Sequence, residues 1–149
     1  MTPQDCKQTV VDAWKTFASR DAQRIGDVFT EDAQWIAPEN NATAIALGGT
    51  NRLAGRERIA HFLAVEFHKL FVSDVTVDFR GLFCEGHTVI LEERMTATMA
   101  HGRPYRNDYC FFFELREDGR IAKVREYMDT RLGQECIFGD DSPRMLLNS

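Results

Sequence analysis

The chain lacks a long apolar run, clustered cysteines and blocks of like charge, and each shortage removes a class of function. No segment of the 149 residues approaches the roughly 18 consecutive apolar positions that a membrane-crossing helix needs. The N-terminal MTPQDCKQ has neither the apolar core of a signal peptide nor the arginine-rich character of a transit peptide. A cytoplasmic location without a membrane partner is therefore expected. Cys6, Cys84, Cys110 and Cys136 are far apart and form no C-x-x-C pair or zinc-type spacing, which points to free thiols in a reducing compartment. Eighteen Lys and Arg against 23 Asp and Glu leave a formal charge of −5. Because these charges are scattered, nucleic acid is not an expected partner. Nothing offers three convergent metal ligands at recognisable spacing. The glycine-rich GGTNRLAG lacks the lysine and the strand-to-helix context of a phosphate loop. No metal and no cofactor are expected. No repeat, low-complexity stretch or linker divides the chain, so residues 1–149 read as one domain with a C-terminal tail over 132–149.

What is present is a run of helices followed by a run of strands. From Thr2 to Ala18, the apolar residues Cys6, Val10, Trp14, Phe17 and Ala18 recur at helical spacing. Asp21 is placed to cap a short second helix carrying Ile25, Val28 and Phe29, and a brief strand around Gln34 to Ala37 ends at Pro38. Glu39 to Gly55 shows little periodicity and predicts a long loop bordering a site. In the third helix, GRERIAHFLAVEFHKLF, Ile59, Phe62, Leu63, Phe67 and Leu70 share a face, with His61 and His68 expected in solvent on the other. After Ser73 four strands follow, joined by turns at Glu85-Gly86, His101-Gly102 and Asp118-Gly119, which predicts an antiparallel meander. Helices first and an antiparallel sheet afterwards make an α+β domain.

Alternation assigns the strand faces. Asn107, Tyr109, Phe111, Phe113 and Leu115 point one way and read as the inside. On the preceding strand Val89, Leu91, Met95 and Met99 share a face with Glu93, while Ile90, Glu92, Arg94, Thr96 and Thr98 take the other. A sheet of mixed polarity on both sides suits one face around a lined cavity and the other against a second subunit, hence a homodimer through the sheet. The final strand, VREYMDT, places Arg125, Tyr127 and Asp129 together, and this polar face is expected to form the floor of the pocket. Glu66 shares the apolar stripe of the third helix, where it reaches past the helix edge, pairs with an arginine or serves as a base.

The helices, the phrase FTEDAQWIAP, the loop leading to GRERIAHFL and the closing DGRIAKVREYMDT together resemble the nuclear transport factor 2-like superfamily, in particular its SnoaL-like and ketosteroid isomerase-related branch. The resemblance spans roughly Cys6 to Arg131 and implies a cone. In such a cone a strongly curved, antiparallel-rich mixed sheet is packed on three N-terminal helices around an apolar pocket, with dimers formed through the sheet. Locally, LEERMT and VREYMDT are similar to the two catalytic strands of the limonene epoxide hydrolase group. That match implies Arg94 and Asp129 as cavity groups and puts Thr96 where the group carries an epoxide-protonating acid.

These expectations combine into a cofactor-independent lyase, isomerase, dehydratase or hydrolase acting on a small apolar or aromatic substrate. Asp129 would move a proton, Arg94 would orient it and stabilise negative charge, and Tyr109 or Tyr127 would donate a hydrogen bond to a substrate oxygen. Glu66 is the reserve base. Trp14, Phe17, Trp35, Phe62 and Phe111 would wall the pocket, with Asn107 as a further substrate contact. Two alternatives stay open: Arg94 and Asp129 as a purely structural ion pair, and a non-catalytic module that binds a small ligand or another protein.

Overall fold

Thr2 starts the first helix through a reciprocal cap: its Oγ1 accepts from the Asp5 backbone N–H at 3.1 Å, and Asp5 Oδ2 accepts from the Thr2 N–H at 2.9 Å. In the computed structural model, which describes residues 1–147, this helix, α1, spans Pro3–Ala18 and buries the stripe Cys6, Val10, Ala13 and Phe17. Asp21 then caps α2 (Ala22–Asp27), its Oδ1 accepting from the Gln23 and Arg24 N–H groups at 3.1 and 3.2 Å. The strand that follows, β1, runs over Phe29–Ile36 and is longer than its sequence pattern suggested.

The stretch expected as a long loop contains two short elements. Asn41 caps α3 (Ala42–Leu47) by accepting from the Ala44 N–H at 2.9 Å. Strand β2 (Arg52–Ala54) pairs antiparallel with β1, Leu53 opposite Trp35. Elements of six and three residues are too short to show a period.

From Arg56 to Leu70 the chain is helical throughout, but not uniformly so. Between α4 (Arg56–His61) and α5 (Phe67–Leu70) lies a π-helical turn, Phe62–Glu66. A π turn takes in one extra residue, which rotates the following side chains by about 100° relative to a continuous α-helix.

The remaining strands are β3 (Phe71–Glu85), β4 (Thr88–Met99), β5 (Pro104–Leu115) and β6 (Ile121–Met128). They form the expected antiparallel meander. Its turns contain Gly102 and Gly119 at φ of 89° and 86°, values that disfavour any residue with a Cβ. β1 joins β6 in parallel, giving an open six-stranded mixed sheet in the order β2-β1-β6-β5-β4-β3. The packed face carries Val89, Leu91, Met95, Met99, Tyr109, Phe111, Phe113 and Val124, all buried. Against it Trp14, Phe17, Phe29 and Trp35 complete an aromatic cluster with ring centroids 5.2–6.5 Å apart.

The end of the chain differs from expectation. VREYMDT is not strand to its last residue: β6 stops at Met128, and Asp129 caps a sixth helix, α6 (Thr130–Phe138), which begins just before the expected tail and runs into it. Beyond it, Met145 packs on Gly48 and the Leu146 N–H donates to Ala46 O at 2.9 Å, so this segment docks on α3 of its own chain. The last two residues of the expected tail lie outside the described residues. No helix among the described residues is long and apolar enough to cross a membrane.

Candidate active site

A cavity of about 570 Å³ opens between α1, the π-containing helix and the packed face of the sheet. Trp14, Phe17, Trp35, Phe62 and Phe111, expected as pocket walls, line it, and so does Tyr109, expected as a hydrogen-bond donor. On the sheet side it is lined by two carboxyl groups, Glu93 and Glu126. Strand register puts both of them there. Leu91 on β4 and Glu126 on β6 sit opposite Phe111 of β5, and Glu93 sits opposite Tyr109, so the inward phase of the three strands includes both glutamates.

Glu93 is 2% exposed. Burial, helped by the charge of Glu126, pushes its carboxyl up to about 8. Burial also pushes Glu126 up to about 7, opposed by the indole N–H of Trp35, which donates to Glu126 Oε1 at 2.8 Å. Both carboxyls are held well above the ordinary carboxylate range, so near neutral pH the pair retains a proton. Two buried polar atoms on the cavity wall, Glu93 Oε2 and Trp14 Nε1, have no hydrogen-bond partner among the described residues. Such atoms are costly in a finished core and suit a site that meets a polar guest.

Tyr109 extends this polar surface. Its hydroxyl is 2.7 Å from that of Tyr105, which accepts from Asn107 Nδ2 at 3.1 Å. Asn107 Nδ2 also donates to the Asp129 carbonyl oxygen at 2.9 Å, tying the chain of hydroxyls to the start of α6. Burial raises Tyr105 to about 12 and Tyr109 well above its ordinary value, so both phenols stay neutral and can donate. Asn107 is fully buried, but it stands behind the cavity wall and supports Tyr105.

Four residues expected at the chemistry lie elsewhere. Arg94 is on the outer face of the sheet, where Nε and Nη2 donate to Asp108 at 2.7 and 3.1 Å. Asp129 is exposed, and its Oδ1 accepts from the Leu132 N–H at 3.0 Å as the cap of α6. The two do not meet, either as a catalytic couple or as an ion pair. Tyr127 is 51% exposed and packs edge-on against Phe112, whose ring also lies under the Arg125 guanidinium at 4.8 Å. Period two explains these placements. With Val124 and Glu126 inward opposite Phe113 and Phe111, Arg125 and Tyr127 must face out.

Glu66 is held by Arg58, which donates to Oε1 and Oε2 at 3.0 and 3.3 Å, with His61 Nε2 3.4 Å away. The arginine-paired alternative is the one realised. His68, expected in solvent, lines the cavity instead, because the π turn rotates the helix beyond Glu66. Burial and the nearby Arg20 charge hold its imidazole below the ordinary value.

Sequence reasoning missed Glu93 and Glu126 as functional groups. A signal existed for each: Glu93 alternates with Leu91 and Met95, and Glu126 with Val124 and Met128, in otherwise apolar phases. Among the described residues, no three His, Cys, Asp or Glu side chains converge to hold a metal ion.

Solved structures share this architecture. An NTF2-like protein from Burkholderia xenovorans is 20% identical, with a TM-score of 0.74 over 92% of this chain and 98% of that one. An LEH-like epoxide hydrolase from M. tuberculosis is 16% identical, with a TM-score of 0.69 over 91% and 90%. TerC, co-crystallized with polyporic acid, is 22% identical, with a TM-score of 0.72 over 87% and 95%. No curated protein matches the chain. Residues 10–124 match the SnoaL-like domain, a segment that includes Glu93 and ends two residues before Glu126. With most of its length covered by that match and an open mixed sheet packed on helices, the chain belongs to the SnoaL-like domain family.

Proposed function

We propose that the protein is a cofactor-independent acid/base enzyme that moves a proton on a small, mainly apolar carbonyl compound, as an isomerase or lyase. The observation that carries this is a pair of carboxyls on one apolar cavity, both raised toward neutrality by burial, Glu93 to about 8 and Glu126 to about 7. Groups displaced toward neutrality in this way are matched to proton transfer at physiological pH.

In this scheme the Glu126 carboxylate, oriented by Trp35 N–H, takes a proton from the carbon next to the carbonyl. Electron density moves from the broken C–H bond to the carbonyl oxygen, which is met by the protonated Glu93 and supported by the Tyr109 hydroxyl. Return of the proton from Glu126 to a different carbon completes an isomerisation. Transfer to a departing group completes an elimination. The aromatic walls exclude water, which strengthens both hydrogen bonds. The cavity volume of 570 Å³ suits a compact ring system. Small-molecule work in neighbours of this fold, an epoxide hydrolase and a protein holding polyporic acid, supports the general class.

The test is turnover of small ketones, epoxides and aryl alcohols by the native chain beside Glu126→Gln. We expect a loss of about 10²–10⁴-fold in the variant with ligand affinity retained. Saturable binding with no turnover in the native chain would instead make the protein a binding module. The outer face of the sheet, where Phe83 and Tyr127 are 61% and 51% exposed, is proposed as the contact with a second copy. Sedimentation of the native chain and of Tyr127→Glu tests that assembly.

A further inference from the structure

The mouth of the cavity carries charges that the proton transfer does not use. Lys15 and Arg20 stand exposed on the α1 side, His68 is half-buried, and Asp74 lines the cavity from β3. Two of these are already occupied. Lys15 lies 3.9 Å from Asp12, and Asp74 Oδ2 accepts from Thr98 Oγ1 at 2.9 Å. Arg20, in contrast, has no carboxylate within ion-pair distance among the described residues.

The backbone at Arg20 is unusual as well. It sits at φ of 59°, just past the end of α1, in the left-handed region where glycine is the ordinary choice. A long cationic side chain is thus set at the lip in a conformation that disfavours it. Arg20 and His68 line the same cavity, and the imidazole is held below its ordinary value first by burial and then by the Arg20 charge. An anion placed between them would gain from both. Deeper in the same cavity, where Glu93 is buried, Glu93 and Glu126 carry negative charge once either ionises, so the same anion would be repelled from that part. A charged guest is attracted at one end and refused at the other, which leaves it a single orientation.

We propose that the substrate is a small carboxylate with an apolar body, its head group held at the mouth by Arg20 and His68 and its uncharged end directed to Glu93 and Glu126. The inference rests on the acid/base reading for which end reacts, but not for binding itself. The guanidinium offers a planar, two-pronged fit to a carboxylate. Trp14, Phe62 and Phe79 flank the path between mouth and floor.

The test compares phenylbutyrate with its neutral isostere phenylbutanamide, titrated into the native chain, Arg20→Gln and Arg20→Lys, and read by quenching of Trp14 and Trp35 fluorescence. We expect the native chain to bind the carboxylate about tenfold more tightly than the amide. Arg20→Gln should bring the ratio close to one, and Arg20→Lys should restore part of it. The ratio is the readout, so a general change in the pocket cancels. Equal affinities in the native chain, preference for the amide, no carboxylate binding up to about 10 mM, or a ratio that survives in Arg20→Gln would overturn the proposal. Turnover is not involved, so inactivity of the native chain would count against the acid/base reading alone.

Discussion

Replacing Glu93 by glutamine keeps the shape of the side chain and removes its charge, so it should stabilise the fold at alkaline pH while disabling the proposed acid. Glu93 is 2% exposed, and one of its oxygens has no partner among the described residues. Its carboxyl is raised from an ordinary 4.5 to about 8, chiefly by burial and further by the charge of Glu126. At about 1.4 kcal/mol per tenfold change in proton affinity, ionising it in the folded chain opposes folding by about 5 kcal/mol. The folded state binds this proton more tightly than the unfolded state does. The contribution of the site is therefore fully present below pH 4.5 and is lost as pH rises to about 8.

Glutamine has nothing to titrate, so the difference between the two proteins isolates Glu93 and its coupling to Glu126, while groups remote from the pair cancel. Water entering the cavity relieves part of the cost. We expect the variant to match the native chain within about 1 kcal/mol near pH 4 and to exceed it by about 2–5 kcal/mol near pH 9. Urea denaturation across that range measures the difference directly. Stability curves that run parallel in the two proteins would refute the reasoning, since they would mean that Glu93 ionises as freely in the fold as in water.

Other consequences follow from the same geometry. Turnover should peak while the carboxyl pair holds a single proton, between about 7 and 8, and fall on both sides; a pH profile with only one limb would contradict a working pair. Asp129→Ala should cost about 1 kcal/mol in thermal melts through loss of the α6 cap, yet leave ligand affinity unchanged, and Arg94→Gln should also leave affinity unchanged. Asn107→Leu removes the donor shared by Tyr105 and the Asp129 carbonyl and should cost about 2–4 kcal/mol by chemical denaturation. Arg20→Gly should raise stability by about 1 kcal/mol by relieving the left-handed backbone and at the same time abolish the preference for a carboxylate in the titrations above.

Strand phase marks where the sequence was legible and where it was not. On β5 the alternation of Tyr109, Phe111 and Phe113 shows which side is buried, and Phe111 could be placed on the inner face from it. On β6 the outward residues Arg125 and Tyr127 are more conspicuous than the inward ones, and their ionisable character drew attention to the wrong face. A row of charged and aromatic side chains is the ordinary outer surface of a sheet. The informative feature was a single glutamate between Val124 and Met128. The third helix hides its phase for another reason. A π turn has no distinctive composition, so the inward rotation of His68 could not be anticipated from an assumed uniform period, and although an arginine partner for Glu66 was one expectation, Arg58 could not be singled out as that arginine. The fold is robust to such errors because its pattern is spread over many apolar positions. The proposed chemistry rests on two side chains, and a shift of one residue on β4 exchanges buried Glu93 for Arg94 on the surface. That is why resemblance carries the architecture to this chain while leaving its candidate acid and base to be found in the structure.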